Sequence, residues 1–482
     1  MPLITIFTEG IFNREIGFIM RKYSCNSLIA FCSILVILGA CNVAKPYKAP
    51  NDVSPNLYRN AGNADTTNMG YLPYSEVFTD TILQGLIEKG IERNLDLQIA
   101  YTRVQQAEAY YLQTGAALLP TLNSNAGVTV SKLSEAQGFG IRTSATQYQL
   151  GLSSSWEADV WGRLRSNRRA NLANFLQTEA AAKAVQTGLV SAIATYYYTL
   201  LALDQQLIIT QQTVYNWDTT VNTIKELKKA ARVTEAAVVQ SEAQRYAAEI
   251  TIPDLKQRIL ETENALSILL GNDPAAIKRG NLSEQQTLSI LQTGVPVQLL
   301  ANRPDVQQAE LQFRSNFELT NVAHASFYPA LSITASTGLS AFNFANFLSA
   351  SGFAASIGAG LTQPIFNQRI NRTRLAVAEA QQHGSLLNFQ NTLLNAGREV
   401  SNAVSLHQTA MDKMLVRTSL LNALQKSVDY SQELLRYGFA NYTEVINARQ
   451  SLLQAVLGGV NDRLQQLQAL VNLYRALGGG SR

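Results

Sequence analysis

After Cys41 the 482-residue chain contains no cysteine, and its three cysteines, Cys25, Cys32 and Cys41, all lie near the start. A mature chain beginning at Cys41 would have no internal disulfide and no cysteine metal site. Histidine is nearly as scarce: His324, His383 and His407 are far apart, and none stands in a metal-binding spacing such as His-Glu-x-x-His. No phosphate loop or nucleophile elbow occurs, so the sequence points to no catalytic residues, no metal and no cofactor. Charge is thin as well. Asp, Glu, Lys and Arg make up 15% of the residues, against about 25% in ordinary soluble proteins. The net charge of +4 is spread along the chain and offers no nucleic-acid patch. Amides, hydroxyls and alanine fill the gap, which suits a large polar but weakly charged surface such as a water-filled lumen.

The N-terminus carries an export pattern. Arg21 and Lys22 precede an apolar run over residues 28–38, followed by Leu38-Gly39-Ala40-Cys41. A positive stretch, an apolar run and small residues before a cleavage point make a secretory signal. The run is shorter than the ~20 residues of a spanning helix. Cysteine directly after the small residues resembles the bacterial lipobox, so cleavage is expected before Cys41, with lipid on its sulfur and amine. Residues 1–19 contain Glu9 and Glu15 and make a poor positive stretch, which makes Met20 the expected start. Asn42 is not the Asp that favours inner-membrane retention in lipoproteins of this kind, so the outer membrane is the expected destination.

Beyond residue 80 the chain is written twice. Leu95-Asp96-Leu97 and Pro304-Asp305-Val306 open helical runs that end at Leu119-Pro120 and Tyr328-Pro329, with 305 − 96 = 209 and 329 − 120 = 209. Val160-Trp161-Gly162-Arg163 aligns with Phe366-Asn367-Gln368-Arg369 (369 − 163 = 206), and Leu270-Gly271 with Leu477-Gly478 (478 − 271 = 207). The expected divisions are a signal peptide at 1–40, a lipidated segment at 41–79, a first repeat at 80–271, a connector at 272–301 and a second repeat at 302–482.

Each repeat follows one order. A helix comes first, with Leu97, Ala100, Tyr101, Val104, Ala107 and Tyr111 at helical spacing in the first copy. Strict alternation follows. Leu122, Ala126, Val128 and Val130 oppose Asn123, Asn125, Thr129 and Ser131. After a turn near Gly138 and Gly140, Tyr148, Leu150, Leu152, Trp156, Ala158 and Val160 oppose Gln147, Gln149, Ser153, Ser155, Glu157 and Asp159. In the second copy Leu331, Ile333, Ala335 and Leu339 oppose Ser332, Thr334 and Ser336, and Phe353, Ala355, Ile357 and Leu361 oppose Ser356 and Thr362. Each repeat thus supplies one hairpin with an apolar and a polar face. Proline-free stretches from Arg163 and Arg369 then run for about 68 residues, on the order of 100 Å as helix. Each breaks briefly and returns as another helix; Pro253 should disturb the first return.

The expected fold class is mainly α with a membrane β-barrel. Four strands cannot close a barrel, since small barrels need about eight, and open edges are excluded from lipid. The wall must be shared between copies, two or three by this argument. The long helices need neighbours for the same reason and should form a tube of antiparallel pairs.

In order and spacing, Asn94-Leu95-Asp96-Leu97, Trp156-Glu157-Ala158-Asp159-Val160-Trp161-Gly162-Arg163, Asn302-Arg303-Pro304-Asp305-Val306, Gln363-Pro364-Ile365-Phe366 and Leu473-Tyr474-Arg475-Ala476-Leu477-Gly478-Gly479-Gly480 resemble the TolC-like outer-membrane factors, within them the NodT-type lipoprotein branch. The resemblance covers the chain from Cys41 to Gly480. It implies a homotrimer with a twelve-stranded barrel and a twelve-helix periplasmic tunnel, docked to a periplasmic adaptor protein and an inner-membrane pump of RND type. It also implies a gate at the tunnel tip, here Glu444 and Asn447. Three Glu444 carboxylates would form a cation-attracting ring. Asn447 stands where the family often has Asp, and the first-repeat equivalent of Glu444 is Ala237 (444 − 207 = 237), which adds no charge. Tip residues Arg232, Val233, Thr234 and Glu235, with Gly438, Phe439, Ala440, Asn441 and Tyr442, are the expected adaptor contacts. Gly438 suits a sharp turn; Ala231 in its place suggests that the first tip differs. Asp96 and Asp305 read as helix caps, and Trp156 and Trp161 as part of an interfacial aromatic belt. The alternatives are a type I protein-secretion channel of the same fold, and a non-conducting structural envelope lipoprotein.

Overall fold

The computed structural model describes residues 43–50, 57, 68–132, 144–286 and 301–481. The signal segment, Cys41, the turn near Gly138 and Gly140, and connector residues 287–300 lie outside them. The main helices are α1 (Thr81–Arg93), α2 (Leu95–Ala116), α3 (Arg163–Lys229), α4 (Glu235–Glu249), α5 (Thr251–Leu269), α6 (Pro304–Ala325), α7 (Ile370–Tyr437) and α8 (Tyr442–Ala476). The strands are β1 (Thr121–Lys132), β2 (Ser144–Ala158), β3 (Ala330–Ala341) and β4 (Phe353–Thr362). The two proline-free stretches are single helices of 67 and 68 residues. Helix, hairpin, long helix and return helix occur twice in the same order.

The chain divides into two compact units. The first contains Ala109–Ala173 and Arg314–Gly384 with the chain up to Lys48. It carries one antiparallel sheet in the order β1-β2-β3-β4. No residue of the four strands is buried, so the sheet is no lid on a helical core. The buried polar groups of this unit belong to its helices. Glu318 of α6 is 2% exposed and takes a 2.8 Å hydrogen bond from Arg169 of α3.

The second unit contains Ala49–Glu108, Asn174–Phe313 and Ser385–Arg482. Its core joins Leu83 and Ile87 of α1, Ile193, Tyr197 and Leu201 of α3, and Leu470, Leu473 and Tyr474 of α8. Full burial of such side chains contributes roughly 1.5–3 kcal/mol each. Asp80 starts α1 by accepting from Ile82 N–H at 2.8 Å, and Tyr197 Oη donates to its other oxygen at 2.6 Å. Burial opposes the charge on Asp80, but the hydrogen bonds from Tyr197, Gln285 and the helix N-terminus outweigh it and hold the carboxyl below its usual range.

Two details depart from the sequence reading, while the break expected near Pro253 is present. Asn94, not Asp96, caps α2: its Oδ1 accepts from Leu97 N–H at 2.9 Å and its Nδ2 donates to the Leu269 carbonyl at 3.0 Å. Asp305 instead takes two hydrogen bonds from Arg303, which a carboxylate does better than an amide. The junction alignment also shifts by one. Since α3 begins at Arg163 and α7 at Ile370, Arg369 (φ 66°) takes the place of Gly162 (φ 78°). Pro253 falls in the first turn of α5, after a break at Ile250, where its missing N–H costs little.

Candidate functional site: the strand wall and the helical tips

The pairing register sorts the sheet into two faces. Val128 pairs with Tyr148 and Ala126 with Leu150. Leu150 pairs with Leu339 and Trp156 with Ile333. Ile333 pairs with Ala359, Ala335 with Ile357 and Leu339 with Phe353. Directly paired residues share a face, so one mainly apolar face runs across all four strands, interrupted by the hydroxyls of Ser124, Ser154 and Thr337. Its large side chains stand in the open: Leu122 is 72% exposed, Val130 75% and Ile357 80%. Among the described residues no helix is long and apolar enough to cross a membrane.

The opposite face holds Asn123, Asn125, Gln147, Gln149, Ser153, Ser336 and Ser356, that is, amides and hydroxyls without charge. Its one carboxylate, Glu157, sits near the end of β2 and is held by Arg163 at 2.6 and 3.0 Å. Asp159, read from the sequence as part of this face, lies past β2. It takes the Leu164 and Arg165 N–H groups at 2.9 Å and so starts α3.

All five strand glycines, Gly127, Gly151, Gly338, Gly358 and Gly360, fall on the polar face. A Cβ at Gly338 would sit 2.3 Å from the Leu150 carbonyl oxygen. Close backbone approach on one face alone is what inward curvature requires, because side chains converge on the concave side. Small residues confined to the polar face suit a wall that curves toward that face.

Aromatic side chains mark both ends of the sheet. At the helix end Trp156 Nε1 donates to the Leu118 carbonyl at 2.9 Å, and Trp161 Nε1 to Pro329 at 2.8 Å, with its ring stacked on Tyr328 at 4.9 Å. At the other end Tyr148 meets Phe344 at 5.4 Å and Phe347 at 6.2 Å.

The two helical tips, both in the second unit, share one backbone turn. Gly438 has φ 81° and Ala231 has φ 54°. Arg232 N–H reaches back to the Leu227 carbonyl at 2.9 Å, and Phe439 N–H to Leu434 at 2.9 Å. This is the left-handed helix end in which glycine is preferred. The expected difference between the tips is absent from their backbones: Ala231 bears the left-handed conformation that Gly438 adopts freely.

The expected tip residues divide into two kinds. Arg232, Thr234 and Glu235 are exposed in the first tip, Gly438, Phe439 and Asn441 in the second, and Phe439 is 82% exposed. Glu235 is paired with Lys228. Val233 and Tyr442 instead pack on a small buried cluster of Ile224, Ala237 and Val238. Tyr442 also touches the cluster of Trp217, Ala248 and Ile446, so it ties the two hairpins together. Ala440 is half-buried. Glu444 lies in the first turn of α8, capped by Asn441, and is exposed together with Asn447 one turn on. Ala237, its repeat equivalent, is fully buried.

One built feature escapes sequence reading. The Arg417 guanidinium lies in a notch left by Gly458, where a Cβ would sit 3.1 Å from it, and Nε donates to Asp462 at 2.8 Å. Two adjacent glycines inside a helix were the available signal, since each costs about 1 kcal/mol there without a reason. Among the described residues there is no group of three or more potential metal ligands.

Known proteins match this architecture over nearly its whole length. The family described as outer membrane efflux protein matches twice, over residues 86–272 and 295–479, once per repeat. The chain is 29% identical over 455 residues to the solvent efflux pump outer membrane protein SrpC of Pseudomonas putida, covering 92% of this chain and 97% of that protein. It is 29% identical over 471 residues to the cation efflux system protein CusC of Escherichia coli O6:H1, covering 94% and 98%. A crystal structure of CusC, from work on transmembrane channel formation, superposes with a TM-score of 0.82 at 26% identity, covering 91% of this chain and all of that one. The twice-repeated hairpin and long helices, the two-faced sheet and these matches agree: the chain belongs to the outer membrane efflux protein family and is an efflux channel component of the outer membrane.

Proposed function

We propose that three copies of this chain close one twelve-stranded barrel, and that the barrel and its helices conduct small molecules passively outward across the outer membrane. The observation that carries this reading is the open sheet. Both β1 and β4 are edge strands, and among the described residues nothing covers the apolar face between them. Unpaired edges are not tolerated in lipid, and pairing β4 of one copy with β1 of the next removes them. Three such sheets supply 3 × 4 = 12 strands, within the range of outer-membrane barrels. The polar face would line the lumen.

Solutes would enter at the helical tips, where Arg232, Val233, Thr234, Glu235, Gly438, Phe439, Ala440, Asn441 and Tyr442 would meet a periplasmic adaptor joined to an inner-membrane pump of RND type. A ring of Glu444 carboxylates, flanked by Asn447, would be the narrowest charged point. Lipid on Cys41 would hold each copy at the membrane. Residues 80–271 and 302–482 would each act as one repeat, joined by the connector at 272–301 and preceded by the lipidated segment at 41–79. The chain would contribute neither catalysis nor energy. The relatives' names speak of solvents and of cations; a duct lined by uncharged amides and hydroxyls suits a pump-selected cargo of small molecules.

Conductance of the purified protein in a planar bilayer, with its oligomer mass in the same detergent, tests the proposal. A conducting trimer is expected. A monomer, or a trimer silent even after the tip is altered, overturns it.

A further inference from the structure

The first unit holds a piece of chain that needs an explanation. Residues 43–48 have no regular structure, yet they are fastened to α6. Asn321, only 3% exposed, grips the strap from both sides: Lys45 N–H donates to its Oδ1 at 3.1 Å, and its Nδ2 donates to the Lys45 carbonyl at 3.0 Å. An amide is the side chain that can accept and donate across one backbone residue in this way. Its orientation is fixed in turn by the buried Glu318, which accepts from Asn321 Nδ2 at 3.3 Å and from Arg169 at 2.8 Å. Two residues further along the strap, the Tyr47 ring packs edge-on against Phe317 at 5.6 Å, under the Arg314 guanidinium at 5.4 Å.

These contacts give the strap a direction. As its numbers rise from 45 to 47, its partners on α6 fall from 321 to 317 and 314. The strap therefore runs antiparallel to α6, and its leading end points to the helix end that feeds β3. Cys41 lies four positions before Lys45, a reach of about 14 Å. Only four residues of α6 remain beyond Asn321, about 6 Å. The leash is long enough to pass the end of α6 and too short to wander far along the sheet.

We propose that Asn321, seconded by Tyr47, is a positioning clamp that sets where the lipid on Cys41 meets the membrane relative to the strands. This rests on the reading of Cys41 as the lipidated residue. The clamp makes the lipid an aligned anchor: it fixes the start of the strands near the leaflet surface while the sheet still has open edges.

Four full-length chains test this: the natural sequence, Asn321→Leu, Cys41→Ser and the double variant. Tyr47→Ala serves as a second probe, since it lies on the strap and leaves α6 intact. Trypsin cleavage after Lys48 reads the strap; Lys45 precedes Pro46 and resists trypsin. The fraction of chain that resists urea extraction from outer membranes reads insertion. Losing two hydrogen bonds should raise cleavage about tenfold in Asn321→Leu, with a smaller rise in Tyr47→Ala. The inserted fraction should fall severalfold in both, but Asn321→Leu should cause no further fall once Cys41→Ser has removed the anchor. Unchanged cleavage in both probes overturns the clamp, as does an equal drop in insertion with and without Cys41. Labelled palmitate separates the two premises. Label on the natural chain but not on Cys41→Ser is expected; no label on the natural chain overturns the lipid reading whatever the strap does.

Discussion

Single residues decide the helical tips. Ala231 holds a left-handed conformation that costs a non-glycine residue roughly 1–2 kcal/mol, while Gly438 adopts it freely at the matching turn. Ala231→Gly should therefore stabilise the first tip by about 1 kcal/mol, and Gly438→Ala should destabilise the second by a similar amount. Hydrogen exchange of the last turns of α3 and α7 reads each change, as protection that rises in the first case and falls in the second. Asp80 gives a pH signature. Its folded pKa is lowered, so its contribution is complete above the unfolded value of about 3.9 and is lost as pH falls through the folded value. Tyr197→Phe removes the strongest of the bonds that lower it. At pH 7 the variant should lose about 2 kcal/mol, and its stability should fall less steeply between pH 4 and 2. Urea denaturation across that range measures both. At this scale the sequence was least legible. Asp96 looked like a cap, but Asn94 can both accept from α2 and donate to Leu269, and the donor half depends on a residue far away in sequence. Nothing local separates a glycine-like site holding Arg369 from an ordinary loop arginine.

Elements were far easier to read. Period-two alternation named most residues of both sheet faces because each strand is mainly apolar on one set of alternate residues; it overran β2 at Asp159 and Val160. The long helices followed from the absence of proline. The gathering of every strand glycine on one face was not legible, since it appears only in the register. That gives a paired test. Gly338→Val drives a side chain into the Leu150 carbonyl and should abolish assembly of the barrel. Gly127→Ala, on the same face with nothing within 4 Å, should assemble as the natural chain does. Heat-modifiable migration of the assembled oligomer distinguishes them. The Arg417 notch was legible only as two unexplained glycines; its partner lies on another helix. The strap on α6 was not legible at all, because residues 43–48 have no periodicity and their anchor, Asn321, looks like any polar helix residue.

At the scale of the whole molecule the order of landmarks carried the family; the proposed assembly of three copies rests on that family and on the open sheet. Glu444 is exposed at the start of α8, and its repeat equivalent Ala237 is buried, so a symmetric tip would carry one carboxylate per copy at this level. Glu444→Gln should lower the cation selectivity of single-channel currents while leaving the oligomer mass unchanged; undiminished selectivity would remove Glu444 from the gate. The open sheet sets a further condition. If the wall is shared between copies as proposed, a chain that supplies four strands and two free edges finishes folding in a bilayer only by meeting other copies, and its last folding step is a collision. The rate of barrel closure should then rise more steeply than linearly with the surface density of inserted chains. Sparse expression would leave copies with finished helices and unfinished walls, and crowding in the membrane plane would act on this protein as a folding catalyst acts on others.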